Sequence, residues 1–205
     1  MIFKQLVLGN LGTNCYLLRG AETRKVLLID PGGDMSQVFA ILRKRALKLE
    51  AVLLTHAHRD HTEGIDQLID RARLKIIMHQ EDRFIFEKQF PNLDRELDLV
   101  EDGERRKMAG LNINFLHTPG HTPGGLSFIV NSKAVFTGDT LFAEGIGRTD
   151  LPYSSEEESR HSIYKKILRL PDTLLLLPGH GFISTVEAVK CDNPYLDQNL
   201  INFGP

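Results

Sequence analysis

Apolar positions along the chain fall into short runs broken by turns. "FKQLVL" (Phe3 to Leu8), "NCYLLR" (Asn14 to Arg19) and "KVLLID" (Lys25 to Asp30) have strand length, and Gly-containing turns separate them. Asp34, with Gln37 three residues later, resembles a capping box with a short acid in the Ser/Thr role. The helix it opens is expected to run to about Leu49. Val38, Ile41, Leu42 and Leu49 lie near one face, and Arg43, Lys44 and Arg45 occupy much of the rest. "AVLL" (Ala51 to Leu54) reads as a buried strand. Thr62 to Arg73 reads as a second helix, "LKIIM" (Leu74 to Met78) as a strand, and Gln80 to Phe90 as an amphipathic helix ending at Pro91.

The stretch through "LVEDGERRKMAG" is charged, with a turn at Asp102-Gly103. "LNINFLH" (Leu111 to His117), "GLSFIV" and "KAVFTG" are strand-like again. "SSEEESRHSIYKKILRL" carries the signals of a helix: serine caps, acids in the first turn and bases in the last. "TLLLL" (Thr173 to Leu177) reads as a buried strand, and a short helix follows from Ile183. Strands and helices are mixed without a repeat or a low-complexity linker. This predicts one α+β domain over residues 1–205, with a sheet-rich core covered by helices.

Composition narrows the function classes. The chain has 205 residues, 41% of them hydrophobic, which is enough for one layered core. The formal net charge is −2, so no electrostatic footprint for nucleic acid is present. No segment reaches the ~18 consecutive apolar residues of a membrane span, and the N-terminus lacks the pattern of a secretory signal. Neither nucleic acid nor membrane is expected as a partner. Cys15 and Cys191 lie far apart and form no C-x-x-C pattern, so both read as reduced thiols in a cytoplasmic protein.

The chemistry concentrates where apolar runs stop. "AVLL" is followed by "THAHRDHTEG", with His56, His58, Asp60 and His61 in six positions. Three other runs end at "HTPGHTPGG", at "TGDT" and at "PGHG". Histidine fills 8 of the 205 positions, so three in set places arise by chance only about 6 times in 10⁵ trials. Strand ends mount their loops rigidly, so four such loops can converge on one point. Imidazole and carboxylate suit zinc, iron or manganese. The seven groups His56, His58, Asp60, His61, His121, Asp139 and His180 would serve two ions, with a carboxylate such as Asp139 able to bridge. Two ions ~3.5–4 Å apart can share a water and hold it as hydroxide near neutral pH.

These motifs resemble the metallo-β-lactamase superfamily, and more closely its glyoxalase II-like branch, the hydroxyacylglutathione hydrolases. "HAHRDH" looks like the H-x-H-x-D-H motif, and "TPGHT", "GD" and "PGH" follow in the family's order. The resemblance spans nearly the whole chain, from "TNCYLL" to "NPYL". It implies an αββα four-layer sandwich with the metals at one edge. It also implies that His56, His58 and His121 hold one ion, that Asp60, His61 and His180 hold the other, and that Asp139 bridges. Zinc is the first choice, and iron or manganese are also accommodated. His58 differs from the diiron flavoproteins of the superfamily, which have Glu there. Asp139 differs from lactamases that use Cys there. Both favour the hydrolase branch.

The implied reaction is hydrolysis of a 2-hydroxyacyl-glutathione-like thioester by a metal-bridging hydroxide, with Asp60 and Asp139 as the catalytic carboxylates. A thiolate, with a free pKa of about 8.5, departs without strong acid assistance. One departure bears on the substrate. Glyoxalase II enzymes resemble "KFYEG", whose Lys and Tyr touch glutathione, where this chain has "GRTDLP". Arg148 can replace the Lys as an anion clamp, or can brace the loop by pairing with Asp150. The C-terminal helical domain that grips glutathione in those enzymes is not expected. The alternative is a mononuclear iron persulfide dioxygenase, which shares "GRTD" and would use His56, His121 and Asp139. An RNA-processing phosphodiesterase and a non-enzymatic metal-binding module are weaker rivals. Of the other histidines, His117 is a candidate partner outside the ligand set, His79 is expected near the surface, and His161 is expected on a solvated helix face.

Overall fold

The computed structural model describes residues 1–69, 74–93, 97–197 and 199. Six strands form the first sheet in chain order: β1 (Ile2–Leu8), β2 (Thr13–Arg19), β3 (Lys25–Ile29), β4 (Lys48–Leu53), β5 (Lys75–His79) and β6 (Asp98–Val100). The first three are antiparallel and β3 to β6 are parallel. The second sheet runs β7 (Arg105–Met108), β8 (Leu111–His117), β9 (Leu126–Val130), β10 (Ala134–Gly138), β11 (Leu175–Pro178) and β12 (Ser184–Thr185), also as spatial neighbours in that sequence. Only β10 and β11 pair in parallel there.

The central strands read as unbroken apolar runs because both of their faces are covered. Val26, Leu28 and Val52 point outward onto Val38 of α1 (Ser36–Lys44), Ile65 of α3 (Ile65–Ile69, which follows α2 at Arg59–Thr62) and Phe86 of α4 (Arg83–Gln89). Their neighbours Leu27, Ile29, Ala51 and Leu53 point between the sheets, against Ile113, Phe115, Phe128 and Phe136. On the far side, Val135 and Leu176 meet Ile163 and Ile167 after α5 (Glu156–His161), and Val186 and Val189 of α6 (Val186–Asp192). Helices, sheet, sheet and helices make the expected αββα sandwich.

Several boundaries differ from the sequence expectation. The first helix stops at Lys44 rather than near Leu49, because Ala46 turns left-handed (φ 50°) and Lys48 to Leu53 join β3 as a strand. Asp34 does not cap it. Met35 occupies the cap position, its amide donates to Gln67 Oε1 (3.0 Å), and Asp34 accepts from Ser36 Oγ. The expected 62–73 helix is broken at Gly64, where a Cβ would meet the carbonyls of Pro31 and Gly33. Residues 70–73 of that expectation lie outside the described residues. The charged stretch does turn at Asp102-Gly103 (Gly103 φ 76°), but two unexpected edge strands, β6 and β7, flank that turn. The serine-capped helix does begin at Ser155, which accepts from Glu158 N. It then widens over Ser162–Lys166 and tightens over Ile167–Arg169.

Phe128 is fully buried between the sheets, edge-on to Phe115 at 5.6 Å. Phe128→Ala is expected to lower unfolding stability by ~3–5 kcal/mol through lost burial and a residual cavity. Denaturant titration measures this as a shift in midpoint at unchanged slope.

Candidate metal centre

Four strand ends carry the seven side chains to one place. After β4, the chain bends at Thr55, passes through His56 and Ala57 to an extended His58, and then turns into α2, whose first turn presents Asp60 and His61. The β8–β9 loop brings His121, the end of β10 brings Asp139, and the end of β11 brings His180. The loops are bonded to one another: Leu126 N donates to Thr55 O (2.7 Å), and Gly179 N to Gly138 O (2.8 Å). Glycine is required at this junction. A Cβ at Gly179 would land on Asp139 Oδ1 and within 2.7 Å of His61 Cε1.

Two overlapping sets can be drawn, joined by His56 and His61, whose ring centroids are 4.1 Å apart. His58 Nδ1 lies 2.9 Å from His121 Nε2, and the His56 ring packs edge-on to both, its centroid 4.8 and 4.9 Å from theirs. In the second set, His180 Nε2 is 3.2 Å from Asp60 Oδ2 and 3.3 Å from His61 Nε2. Asp139 sits between the sets. Its Oδ1 is 3.3 Å from His61 Nε2, and its Oδ2 is 3.6 Å from His121 Nε2 and 3.5 Å from His180 Nε2.

Two buried side-chain atoms among the described residues have no hydrogen-bond partner, His56 Nε2 and Asp139 Oδ1. An unpaired buried acceptor costs roughly 1–3 kcal/mol. Ligand atoms of His56, His61 and Asp139 lie within 4.8 Å of one another, so one divalent cation would satisfy both orphans. The donor set therefore fits such ions.

The electrostatics agree with that fit. Burial, followed by the neighbouring imidazoles, holds His56 well below the usual histidine range and His58 down to about 4, so both stay neutral. Burial also disfavours charge on His61, but Asp139 and Asp30 outweigh it and raise its pKa. His180 is raised in the same way, against its own burial, by the bond to Asp60 and the charge of Asp139. Burial alone would raise Asp60 and Asp139. Instead the hydrogen bond from His180 and the charges of His61 and His180 lower Asp60, while His61, His180 and His121 lower Asp139. The carboxylates thus demand positive charge, which protons supply without a cation.

Partners outside the set fix the ring orientations. His61 Nδ1 donates to Asp30 Oδ2 (2.9 Å), His121 Nδ1 to the Arg148 carbonyl (2.8 Å), and His180 Nδ1 to the Leu11 carbonyl (3.2 Å). Each leaves Nε2 free to face the centre. Asp30 also accepts from Thr55 N (2.8 Å) and Thr55 Oγ1 (2.6 Å), and Thr55 Oγ1 lies 3.1 Å from His56 Nδ1. Fully buried Asp82 accepts from Ala57 N, Thr122 Oγ1 and Gly124 N, tying the His56–His58 loop to the His121 loop. Sequence reasoning missed both acids. Asp30 had a signal, since it too ends an apolar strand, whereas Asp82 looks like any acid of an amphipathic helix.

The family model of the metallo-beta-lactamase superfamily matches residues 8–180. The chain belongs to this superfamily. A hydroxyacylglutathione hydrolase of Haemophilus influenzae, GloC, is 38% identical over 90% of this chain and 92% of its own length. The mitochondrial persulfide dioxygenase ETHE1 of Bos taurus is 32% identical over 93% of this chain and 74% of its own. Among solved structures, the BLEG-1 B3 metallo-beta-lactamase superposes with a TM-score of 0.86 at 32% identity, covering 95% of this chain and 99% of that one. TTHA1623 in a di-iron-bound form does so with 0.83 at 32% identity, covering 94% and 100%. The superfamily's hydrolase and oxygenase members are thus comparably similar to this chain.

Arg148 lies at the rim of the site. Its guanidinium is solvent-exposed and bonds Asp150 in bidentate fashion (2.9 and 2.8 Å), while its carbonyl holds His121. His117 stays outside the cluster, donating from Nε2 to Pro123 O (2.8 Å). His79 is half-buried rather than superficial, stacked on His117 at 3.8 Å and 16°. With Glu81 these two form a smaller group, but a metal must lie in the plane of each imidazole, and near-parallel planes share no nearby point. His161 is exposed on α5, as expected.

Asp30→Asn would turn an amide N–H₂ toward the Thr55 hydroxyl and the His61 ring, both of them donors. Metal affinity is expected to fall by about 10- to 100-fold, read by titrating zinc into metal-free protein.

Proposed function

We propose that this protein is a two-metal hydrolase, a thioesterase acting on 2-hydroxyacyl-glutathione-like thioesters. The observation that carries this reading is the position of Asp139, whose two oxygens reach both ligand sets. His56, His58 and His121 would hold one ion, Asp60, His61 and His180 the other, and Asp139 both. Zinc suits these ligands, as do iron and manganese. When bound, such a pair supplies a hydroxide nucleophile near neutral pH and stabilises the oxyanion formed at the carbonyl.

The chain's own residues do the rest. Asp30, directly for His61 and through Thr55 for His56, keeps these two histidines in the tautomer that presents Nε2. The thiolate leaves without a strong acid, which suits a centre lined with ligands. Arg148 offers an anion clamp, because an exposed pair such as Arg148–Asp150 is worth only ~0–1 kcal/mol and a substrate carboxylate can displace Asp150. His180 is flanked by the Phe142 ring (ring centroids 6.1 Å apart), an apolar surface for the acyl part. The likeness to GloC supports this substrate class. The free thiols of Cys15 and Cys191 support a reducing, cytoplasmic compartment.

A second reading has a specific basis. The likeness to ETHE1 and the shared "GRTD" string favour a single iron held by His56, His121 and Asp139, with persulfide oxidation in place of hydrolysis. Elemental analysis of protein purified without added metal separates the two. Close to two ions per chain, with release of thiol from a 2-hydroxyacyl-glutathione, is the expected result. One iron with oxygen uptake on glutathione persulfide overturns it.

Asp139→Ala is expected to lose metal and turnover together, and full metal with full turnover would rule out its shared role. Arg148→Ala is expected to raise KM for an anionic thioester while kcat holds. An unchanged KM would leave Arg148 as a loop brace.

A further inference from the structure

The segment Leu11 to Tyr16 touches one half of the metal centre. Thr13 Oγ1 donates to Asp60 Oδ2 (3.3 Å), and the Leu11 carbonyl accepts from His180 Nδ1 (3.2 Å). Asn14, 1% exposed, does more. Its backbone N–H donates to Gly179 O (2.7 Å), and its side-chain Nδ2 donates to Pro178 O (3.0 Å) and Gly181 O (2.8 Å). Its Oδ1 accepts from Gln5 Nε2 (2.6 Å). One amide therefore clasps the turn on both sides of His180, reaching across from β2 in the first sheet to the end of β11 in the second. Among the described residues, no hydrogen bond from this segment reaches His56, His58 or His121. His56 meets Thr55 instead, His121 the Arg148 carbonyl, and His58 Nδ1 the His121 ring.

We infer that Asn14, supported by Thr13, is the positioning residue for the Asp60–His61–His180 subsite, and so sets whether the protein holds two ions or one. The inference rests on the two-ion reading above. Asn14 matches its surroundings as alanine or aspartate cannot. Both amide hydrogens meet carbonyls and the amide oxygen meets a donor, so three of the four hydrogen bonds open to the group are made. Alanine would leave the carbonyls of Pro178 and Gly181 without these donors, and aspartate would set a carboxylate against them. Metal–ligand distances tolerate only ~0.2 Å, so a loosened 178–181 turn costs the ion that His180 holds. The fold has other ties at this place, since Tyr16 Oη donates to Pro178 O (2.7 Å) and the Asn14 backbone bond survives substitution.

The test is calorimetric titration of zinc into the metal-free full chain, wild type against Asn14→Ala and Thr13→Val. In both variants one site is expected to keep its affinity and the other to weaken by about 10- to 100-fold, with the larger effect in Asn14→Ala. Equal weakening of both sites, or two sites of unchanged affinity, overturns the inference. Should Asn14→Ala not fold, Thr13→Val decides alone, because it replaces a hydroxyl by a methyl of the same size. A wild type that takes up one ion shows up separately, in the unmutated protein. It overturns the two-ion reading and this inference with it.

Discussion

The buried carboxylate of Asp30 is the contact on which the rest of the centre depends. Its side chain is 2% exposed and its three donors are Thr55 N, Thr55 Oγ1 and His61 Nδ1. A buried charge persists only when it is paired and hydrogen-bonded, and removing a partner from such a pair typically costs ~3–5 kcal/mol. The donors come from the end of β4 and the first turn of α2, so satisfying Asp30 forces the chain to pass from strand to helix within reach of β3. That passage is the H-x-H-x-D-H segment. Because Thr55 Oγ1 also meets His56, one acid orients both His56 and His61.

The second sheet is brought to this point by close backbone approach. Gly138 (φ 49°) leaves no room for a Cβ against Thr55, and Gly147 leaves none against the Asp139 carbonyl. Asp82 and Asn14 then bond across the junction, the first to the His56–His58 and His121 loops and the second to the His180 turn. Each of the two ligand sets is thus built from both sheets. The sandwich edge is a rigid mount because the core behind it is closed by Leu53, Phe128 and Phe136.

Charge and exposure around the centre divide its surroundings into two sides. His121 sits beside the charged Arg148–Asp150 loop, and His180 beside the Phe142 ring and the Leu11 carbonyl. A substrate with an anionic end and an apolar end would match both sides at once. The two proposed reactions would have His56, His121 and Asp139 in common, whereas His58, Asp60, His61 and His180 would enter only the two-ion one.

Residue types and their order determined much of this protein. The strand runs, the serine-capped helix at Ser155 and all seven groups of the centre are legible because each is a local pattern. Period-two and buried apolar runs mark strands, and His or Asp directly after a strand marks a loop with chemistry. Local pattern misplaced the end of α1, since "KLEAVL" gains more by pairing with β3 than by extending a helix. It also missed β6 and β7, because solvated edge strands carry charged residues and little apolar signal. Asp30, Asp82 and Asn14 drew no notice for a related reason. An isolated Asp or Asn is ordinary in sequence, and its meaning lies in donors and acceptors 25 to 167 residues away. Sequence determined which groups are present, because ligand chemistry belongs to the side chain alone. Only tertiary structure decided how closely they gather and what holds the rings in place, because burial and hydrogen bonding are properties of neighbours that the chain brings together by folding.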